Sequence, residues 1–202
     1  MINYVEYCDN QKNKYKSYES TFERWKEGQK RFIELNILNN FSKKARILDV
    51  CCGDGAGLHV FKQYGFETVT GIDFEETKVE SAKLIGYDVH KADFHDLSFL
   101  ENNSFDLIYS SHSLEHAYDP SLVLKHFNRL LEDNGKMLII LPYPDKGPLD
   151  AHCAKEILGT TQQDEGNYVS NYICSFGFNL INKTFDNFRE PEIWLRFEKK
   201  EI

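Results

Sequence analysis

The chain has 202 residues, of which 41% are hydrophobic and 28% are charged, and this composition is typical of a single folded domain. Its formal net charge of -8 argues against nucleic acid or an anionic membrane as a partner, because both attract basic surfaces. Five cysteines without a CxxC pair indicate neither a disulfide framework nor a zinc site. The start of the chain lacks an apolar signal region, which predicts a cytoplasmic protein.

The hydrophobic pattern predicts helices and strands that alternate along the chain. Apolar side chains at mostly helical spacing predict a leading helix within residues 18–41. Strands are then predicted over residues 45–50, 67–73, 87–93, 104–111 and 136–143, with helices over 57–65, 75–86 and 119–135 between them. A helix over 167–178 and two strands, 179–185 and 193–198, complete the series.

The helix over residues 119–135 carries its own boundary signals. Asp119 suits the N-cap, Pro120 suits the first helical position, and Gly135 is predicted to end the helix.

The order of these elements predicts an α/β fold. Strands that alternate with helices and are apolar throughout indicate a parallel sheet covered on both faces. The link between the last two strands is too short for a helical crossover, so one of them is expected to run antiparallel. We predict one domain over residues 1–202, with a helical or lid segment over 1–44, a ligand-binding core over 45–143, and a pocket loop, helix and hairpin over 144–202.

A glycine-rich turn follows the first strand, in ILDVCCGDGAG at residues 47–57. Glycines allow the backbone to approach a ligand closely, and ligands of open α/β sheets bind at the carboxyl ends of the strands. Asp73 ends the next strand, where a carboxylate can accept both hydrogen bonds of a ribose diol. Leu58 stands where a dinucleotide site has its third glycine, which weakens that interpretation but leaves a dinucleotide and S-adenosylmethionine both open.

Four segments resemble the class I S-adenosylmethionine-dependent methyltransferases of the small-molecule type (methyltransferase type 11-like). They are ILDVCCGDGAG, VTGIDFEE, KADFHDLSFLENNSFDLIYSSHSLEHAYDP and LLEDNGKMLIILPYP, in the order and spacing of that family. The resemblance implies a Rossmann-like seven-stranded sheet, S-adenosylmethionine as cofactor and S-adenosylhomocysteine as product. It implies a cofactor site formed by Asp49, Cys51, Gly53, Gly55, Asp73, Phe74, Asp93, Phe94 and Ser110.

Within that implied site, Asp49 would act through backbone or water contacts, Asp73 would hold the ribose hydroxyls, and Asp93 would meet the adenine amino group. Ser110 would lie near the methionine carboxylate and the sulfonium. Cys51 departs from the family, which has glycine there, and this predicts a wider turn or a φ restricted to negative values.

Histidines are the first candidates for a general base, because their pKa lies near neutrality. His152, in the region after the fifth strand where small-molecule methyltransferases build acceptor pockets, is the preferred catalytic base, and His112 is a second catalytic candidate beside the sulfonium. Two histidines give an incomplete ligand set, so no metal is predicted. The acceptor is expected to contact Tyr15, Tyr18, His116 and Tyr143, with the N-terminal tyrosines acting as a lid.

These observations predict methyl transfer to a small molecule, with oxygen as the preferred acceptor atom. A looser likeness to methyltransferases of bacterial surface sugars favours a sugar or polysaccharide precursor. An N-methyltransferase of a small metabolite and a non-catalytic cofactor-binding module are the alternatives, and a homodimer is compatible with the sequence.

Overall fold

A computed structural model describes residues 3–16 and 22–201, and its centre is a seven-stranded sheet with the strand order β3-β2-β1-β4-β5-β7-β6. Among the described strands β7 pairs antiparallel with both β5 and β6, and the other pairs are parallel. This confirms the predicted, mostly parallel α/β sheet. The strands are β1 (Arg46–Val50), β2 (Thr68–Asp73), β3 (Asp88–Lys91), β4 (Phe105–Ser111), β5 (Leu131–Pro142), β6 (Phe178–Asp186) and β7 (Glu192–Lys199).

Helices cover both faces of this sheet. They are α1 (Tyr4–Lys16), α2 (Phe22–Asn36), α3 (Ala56–Gln63), α4 (Glu76–Leu84), α5 (Pro120–Leu130) and α6 (Asn167–Cys174), with a short 3-10 helix at Leu114–His116. No helix in the described part of the chain is both long and apolar enough to cross a membrane.

The core forms two apolar layers because successive strand residues point to opposite faces. Ile47 belongs to the layer that includes Phe32 of α2 and Phe61 of α3. Leu48, its neighbour on β1, belongs to the layer that includes Phe127 of α5. Burial on both faces explains why the central strands are apolar throughout.

The predicted start of α5 is confirmed and its predicted end is wrong. Asp119 Oδ1 accepts hydrogen bonds from the amides of Ser121 and Leu122, at 3.0 and 3.1 Å, which is the geometry of an N-cap. The helix ends at Leu130 and not at Gly135, because Leu131 is already extended and pairs with Phe105 of β4. The polar residues 132–135 form an irregularity at the start of β5, since Leu107 next pairs with Lys136.

The first described helix, α1, lies over the carboxyl ends of the strands. The Tyr7 hydroxyl donates to the carbonyl oxygen of His116 at 2.8 Å, and the Gln11 amide donates to the carbonyl oxygen of Ala151 at 3.3 Å. The Tyr4 hydroxyl donates to Asp93 Oδ2. These contacts attach α1 to the loops that follow β3, β4 and β5.

Candidate active site

A cavity of about 600 Å³ opens at the carboxyl ends of the parallel strands, beneath α1. This is where open α/β sheets bind their ligands. One side, which we term the strand-end wall, consists of Cys51, Gly53, Asp73, Phe74, Asp93 and Phe94. The opposite side, which we term the loop wall, includes Gln11, His112, Glu115, His116, Asp145 and His152.

The turn after β1 has the left-handed backbone that the glycines predict. Gly53 and Gly55 have φ values of 56° and 89°, a region that glycine enters without steric cost. Cys51 also has a positive φ, of 57°, so the expectation of a negative φ at Cys51 is wrong. The turn imposes the left-handed conformation on this non-glycine residue, whose side chain lines the cavity.

Asp49 lies behind the turn and is not among the residues that line the cavity. A Cβ atom on Gly57 would lie 2.4 Å from Asp49 Oδ2, so glycine is required where α3 passes this carboxylate. Burial, together with the charge of Asp73, raises the pKa of Asp49 well above its usual value. Asp49 therefore packs against the start of α3 at Gly57 and does not line the cavity.

Asp73 presents its carboxylate at the end of β2. Oδ2 accepts from the amide of Gly53 and Oδ1 accepts from the amide of Glu75, both at 2.9 Å. Burial raises the pKa of Asp73, although these backbone hydrogen bonds oppose it. Each oxygen retains acceptor capacity, so the carboxylate can receive two hydroxyl groups from a ligand.

Asp93 follows β3 and is already engaged on both oxygens. Oδ1 lies 2.7 Å from Nδ1 of His95, and Oδ2 accepts from the Tyr4 hydroxyl of α1. Burial opposes ionisation, but these hydrogen bonds outweigh it and lower the pKa of Asp93. The residue that the resemblance assigns to adenine is therefore also an attachment point of α1.

Besides Asp49, three further predicted site residues do not line the cavity. The side chain of Ser110 is buried within the sheet, and Ser111, the next residue on β4, lines the cavity instead. Gly55 shapes the turn without being one of the lining residues. The Tyr143 hydroxyl donates to Asp164 Oδ1 at 2.5 Å and accepts from the amide of Gly166 at 2.8 Å, which commits it to holding the start of α6.

Two predicted acceptor contacts, Tyr18 and the side chain of Tyr15, lie outside the described residues. Tyr7, one of the N-terminal tyrosines predicted to act as a lid, lines the cavity together with Gln11 of α1. Sequence reasoning did not identify Gln11, which precedes the segment in which a helix is predicted.

His112 lines the cavity but is poorly placed to act as a free base. Its Nε2 lies 2.9 Å from Glu192 Oε1, and its Nδ1 lies 3.5 Å from Glu115 Oε1. Burial lowers its pKa, but these carboxylates outweigh burial, and the net effect is a raised pKa. Both ring nitrogens thus face acids, which fits a positioning role.

The group His112, Glu190 and Glu192 has the residue types and the closeness of a metal site. Nη2 of Arg189 lies 2.6 Å from His112 Nε2, 2.7 Å from Glu190 Oε1 and 2.6 Å from Glu192 Oε1. The guanidinium also packs on the ring of Trp25, 3.7 Å from its centroid. A protein cation therefore already occupies the position between these ligand atoms.

His152 and Asp145 form a buried pair in the loop wall. Nδ1 of His152 lies 2.8 Å from both carboxylate oxygens of Asp145, whose side chain is 0% exposed. Burial disfavours the ionised acid, but the hydrogen bond from His152 and that from the amide of Gly147 lower the pKa of Asp145. An ionised Asp145 accepts a hydrogen bond from the N–H group at Nδ1, so the unprotonated ring nitrogen of His152 is Nε2.

His116 lies next to this pair. Its Nδ1 is 2.8 Å from the carbonyl oxygen of Ala151, and its ring centroid is 4.7 Å from that of His152 in an edge-to-face contact. Burial lowers the pKa of His116. His116 thus packs against the ring of the candidate base.

Sequence reasoning missed Glu115, Asp145 and Arg189. They come from the turn after β4, the loop after β5 and the turn before β7, and none belongs to a regular pattern that relates it to the cavity. The signal available for Asp145 was its position seven residues before His152 in a loop that contains proline and glycine.

A parallel sheet with a left-handed glycine turn and acids after the next two strands defines a protein that binds a nucleoside-containing cofactor. The sequence pattern of the family described as "Methyltransferase domain" matches residues 48–139. Residues 48–139 thus carry the sequence pattern of a methyltransferase domain, as the resemblance to the class I S-adenosylmethionine-dependent methyltransferases predicts.

Relatives and solved structures agree with this assignment. The chain is 33% identical over 101 residues to "Ubiquinone biosynthesis O-methyltransferase" of Xanthomonas oryzae pv. oryzae, covering 47% of this chain and 42% of that protein. It is 29% identical over 143 residues to "Demethylmenaquinone methyltransferase" of Staphylococcus saprophyticus, covering 67% and 59%. Both matches span less than two thirds of the relative.

An S-adenosylmethionine-dependent methyltransferase from Mesorhizobium loti has the same fold, with a TM-score of 0.63 and 18% identity over 82% of this chain and 97% of that one. The strand-end wall fits the cofactor of this family. Asp73 has unused acceptor capacity inside the cavity, and Phe74 and Phe94 offer aromatic faces beside it. When bound, S-adenosylmethionine supplies an electrophilic methyl group.

Proposed function

We propose that this protein catalyses methyl transfer to a hydroxyl oxygen of a small molecule, with His152 as the general base. The observation that carries the proposal is the pair of His152 and the buried Asp145, which lines the same cavity as Asp73 and Asp93. The name of the Xanthomonas relative, an O-methyltransferase, supports oxygen as the acceptor atom.

The roles of the loop-wall residues follow from their contacts. Asp145 fixes the His152 tautomer by accepting from Nδ1, so Nε2 can take the acceptor hydroxyl proton as the oxygen becomes nucleophilic. The positive charge that forms on the imidazole is then stabilised by the adjacent carboxylate. Methyl transfer otherwise depends mainly on orientation, which can contribute about 7 kcal/mol or more to lowering a barrier.

Helix α1 is the proposed lid. Its contacts with Asp93, His116 and Ala151 reach both walls of the cavity. A lid in this position excludes water and closes over cofactor and acceptor together.

The acceptor is proposed to be a sugar or another precursor of a bacterial surface polysaccharide. The described loop wall combines a histidine base with carboxylate and amide oxygens, a set of acceptors that suits a ligand with several hydroxyl groups. The names of the relatives add quinone precursors to the compounds that a screen should contain.

Calorimetric titration with S-adenosylhomocysteine, with a nicotinamide dinucleotide as control, tests the proposal first. Binding of the former alone is expected. Transfer of labelled methyl from S-adenosylmethionine is then measured with sugar nucleotides and phenols, using wild type and His152→Asn. Cofactor binding without transfer to any compound would favour a non-catalytic module, and equal binding of the dinucleotide would contradict the assignment of the site.

A further inference from the structure

The carboxylate of Glu115 is buried in the loop wall without a hydrogen-bond partner. Glu115 is 0% exposed, and within the described residues neither of its carboxylate oxygens has a donor. Buried polar groups are nearly always hydrogen-bonded, because an unsatisfied one loses the hydration it had in the unfolded chain. An exception on the wall of a cavity points to a partner that the ligand supplies.

The neighbouring histidines hold Glu115 in its ionised form without satisfying it. Oε1 lies 3.5 Å from Nδ1 of His112 and 3.8 Å from Nε2 of His116, and both distances exceed those of ordinary hydrogen bonds. Burial favours the neutral acid, but the two imidazoles outweigh burial and lower the pKa of Glu115. The cavity therefore contains a carboxylate that is charged and available.

A second unsatisfied acceptor lies on the same wall. The amide nitrogen of Gln11 donates to the carbonyl oxygen of Ala151, which fixes the orientation of the amide, and its Oε1 has no donor among the described residues. Gln11 and Glu115 both line the cavity, and each carries an oxygen acceptor that no donor among the described residues satisfies. A complementary ligand must bring donors.

We propose that Glu115 anchors the methyl acceptor through a group that donates two or more hydrogen bonds, as a vicinal diol or an amino group does. The inference deepens the proposed function and rests on it. It assigns Glu115 to substrate binding. Two donors on the ligand would satisfy both carboxylate oxygens, and such bonds to a charged group are the stronger ones.

The position of Glu115 also restricts which group reacts. His116, the next residue, is in ring contact with His152, so the anchor and the candidate base lie side by side. The hydroxyl that reacts is therefore expected to be adjacent to the anchored donors on the same ligand. This predicts a single methylated position on a compound that carries several hydroxyl groups.

Saturation-transfer NMR on protein loaded with S-adenosylhomocysteine tests the anchor with three small probes. They are vicinal cis-cyclohexanediol, its dimethyl ether and cyclohexylamine. The ether matches the diol in shape but cannot donate, so it separates hydrogen-bond donation from burial of the ring. The proteins are wild type, Glu115→Gln, and Glu156→Gln as a control, because Glu156 is an exposed carboxylate outside the cavity lining.

We expect the diol or the amine to bind wild type and Glu156→Gln, and Glu115→Gln to weaken that binding by about tenfold or more. Preference for the diol identifies a hydroxylated acceptor, and preference for the amine identifies an amino-bearing one. Binding of the ether as strongly as the diol, equal binding by Glu115→Gln, or no binding of either donor probe overturns the anchor.

S-adenosylhomocysteine affinity and the melting temperature are measured for the same three proteins. Cofactor affinity is expected to be unchanged, because Glu115 is not part of the strand-end wall. Failure of all three folded proteins to bind S-adenosylhomocysteine would overturn the proposed function, and the anchor with it. If wild type binds S-adenosylhomocysteine but neither donor probe, the anchor is overturned and the proposed function is not.

Discussion

At the scale of single residues, Asp73 is the sharpest test of the cofactor site. In Asp73→Asn the side-chain oxygen can still accept from the amide of Gly53, which keeps the turn, while the amide of Glu75 loses its acceptor. The loss of the charged acceptor should weaken binding of S-adenosylhomocysteine by about tenfold to a hundredfold. Calorimetry measures this, and Asp88→Asn, at the opposite end of the neighbouring strand β3, is the matched control. Equal affinity in Asp73→Asn and wild type would mean that the ribose contact is elsewhere.

Asp145 is predicted to act through His152. An asparagine at this position can donate to Nδ1, which would leave the proton on Nε2, the wrong tautomer for a base that faces the acceptor. We expect Asp145→Asn to lower kcat by roughly a hundredfold with S-adenosylhomocysteine affinity unchanged.

Nitrogen-15 NMR of the His152 ring measures the tautomer directly and needs no acceptor. Asp150→Asn, an exposed acid of the same loop, is the control and should resemble wild type. A tautomer that is the same in wild type and Asp145→Asn would refute the positioning role, even if activity fell.

At the scale of elements, α1 is predicted to open as a unit. The Tyr7 side chain is 5% exposed, and its hydroxyl bond to His116 is one of the few polar contacts that hold the helix. Tyr7→Phe removes about 1 kcal/mol, so the amides of α1 should exchange with solvent about fivefold faster. Hydrogen exchange with mass spectrometry measures this. Tyr168→Phe, on the exposed side of α6, should leave α1 protection as in wild type, and unchanged protection in Tyr7→Phe would show that packing alone holds α1.

The central strands β1, β4 and β5 could be predicted from sequence because burial on both faces makes them largely apolar. The end of α5 could not. Leu130 and Leu131 continue the helical pattern of apolar residues, and the pairing of Leu131 with Phe105 is a contact between residues far apart in the chain. The absence of a breaker before Gly135 made the longer helix the reasonable prediction.

The two walls of the cavity also differ in how far their residues could be predicted from sequence. Asp73 was identifiable because it ends a strand at the edge of the sheet where the carboxyl ends of parallel strands meet, and Asp93 was identifiable through the family resemblance. Asp145 and Glu115 depend on how a long loop and a short turn fold over that edge. Ser110 was misassigned by one residue, since the alternation of β4 turns Ser111 toward the cavity.

At the scale of the whole molecule, the buried cluster around Glu192 is predicted to make the free energy of unfolding depend on pH in the acidic range. Hydrogen bonds and charge from His112, Trp194 and Arg189 outweigh burial and lower the pKa of Glu192 from 4.5 to about 2. A carboxyl whose pKa is depressed in the folded state stabilises the protein above its unfolded pKa, and this contribution is lost as the pH falls toward the folded value.

Glu192→Gln is therefore expected to lower the free energy of unfolding by about 3 kcal/mol near pH 7. The difference from wild type should narrow between about pH 5 and about pH 3. Urea unfolding at several pH values measures it. Glu198→Gln, on the same strand and paired with Lys136 at the surface, should change stability by about 1 kcal/mol or less. If the difference in free energy of unfolding between wild type and Glu192→Gln stayed constant with pH, the lowered pKa of Glu192 could not be its cause.

The match to the methyltransferase family ends at residue 139, and the cavity is built from both sides of that boundary. The strand-end wall lies inside the matched segment, whereas Gln11, Asp145 and His152 of the loop wall lie outside it. Under the proposed function, mutations in the flanking segments would therefore change the contacts to the methyl acceptor and leave the strand-end wall unchanged. Such a division lets duplicated genes diversify their chemistry through their ends, and it makes those ends the place to exchange when a new specificity is engineered.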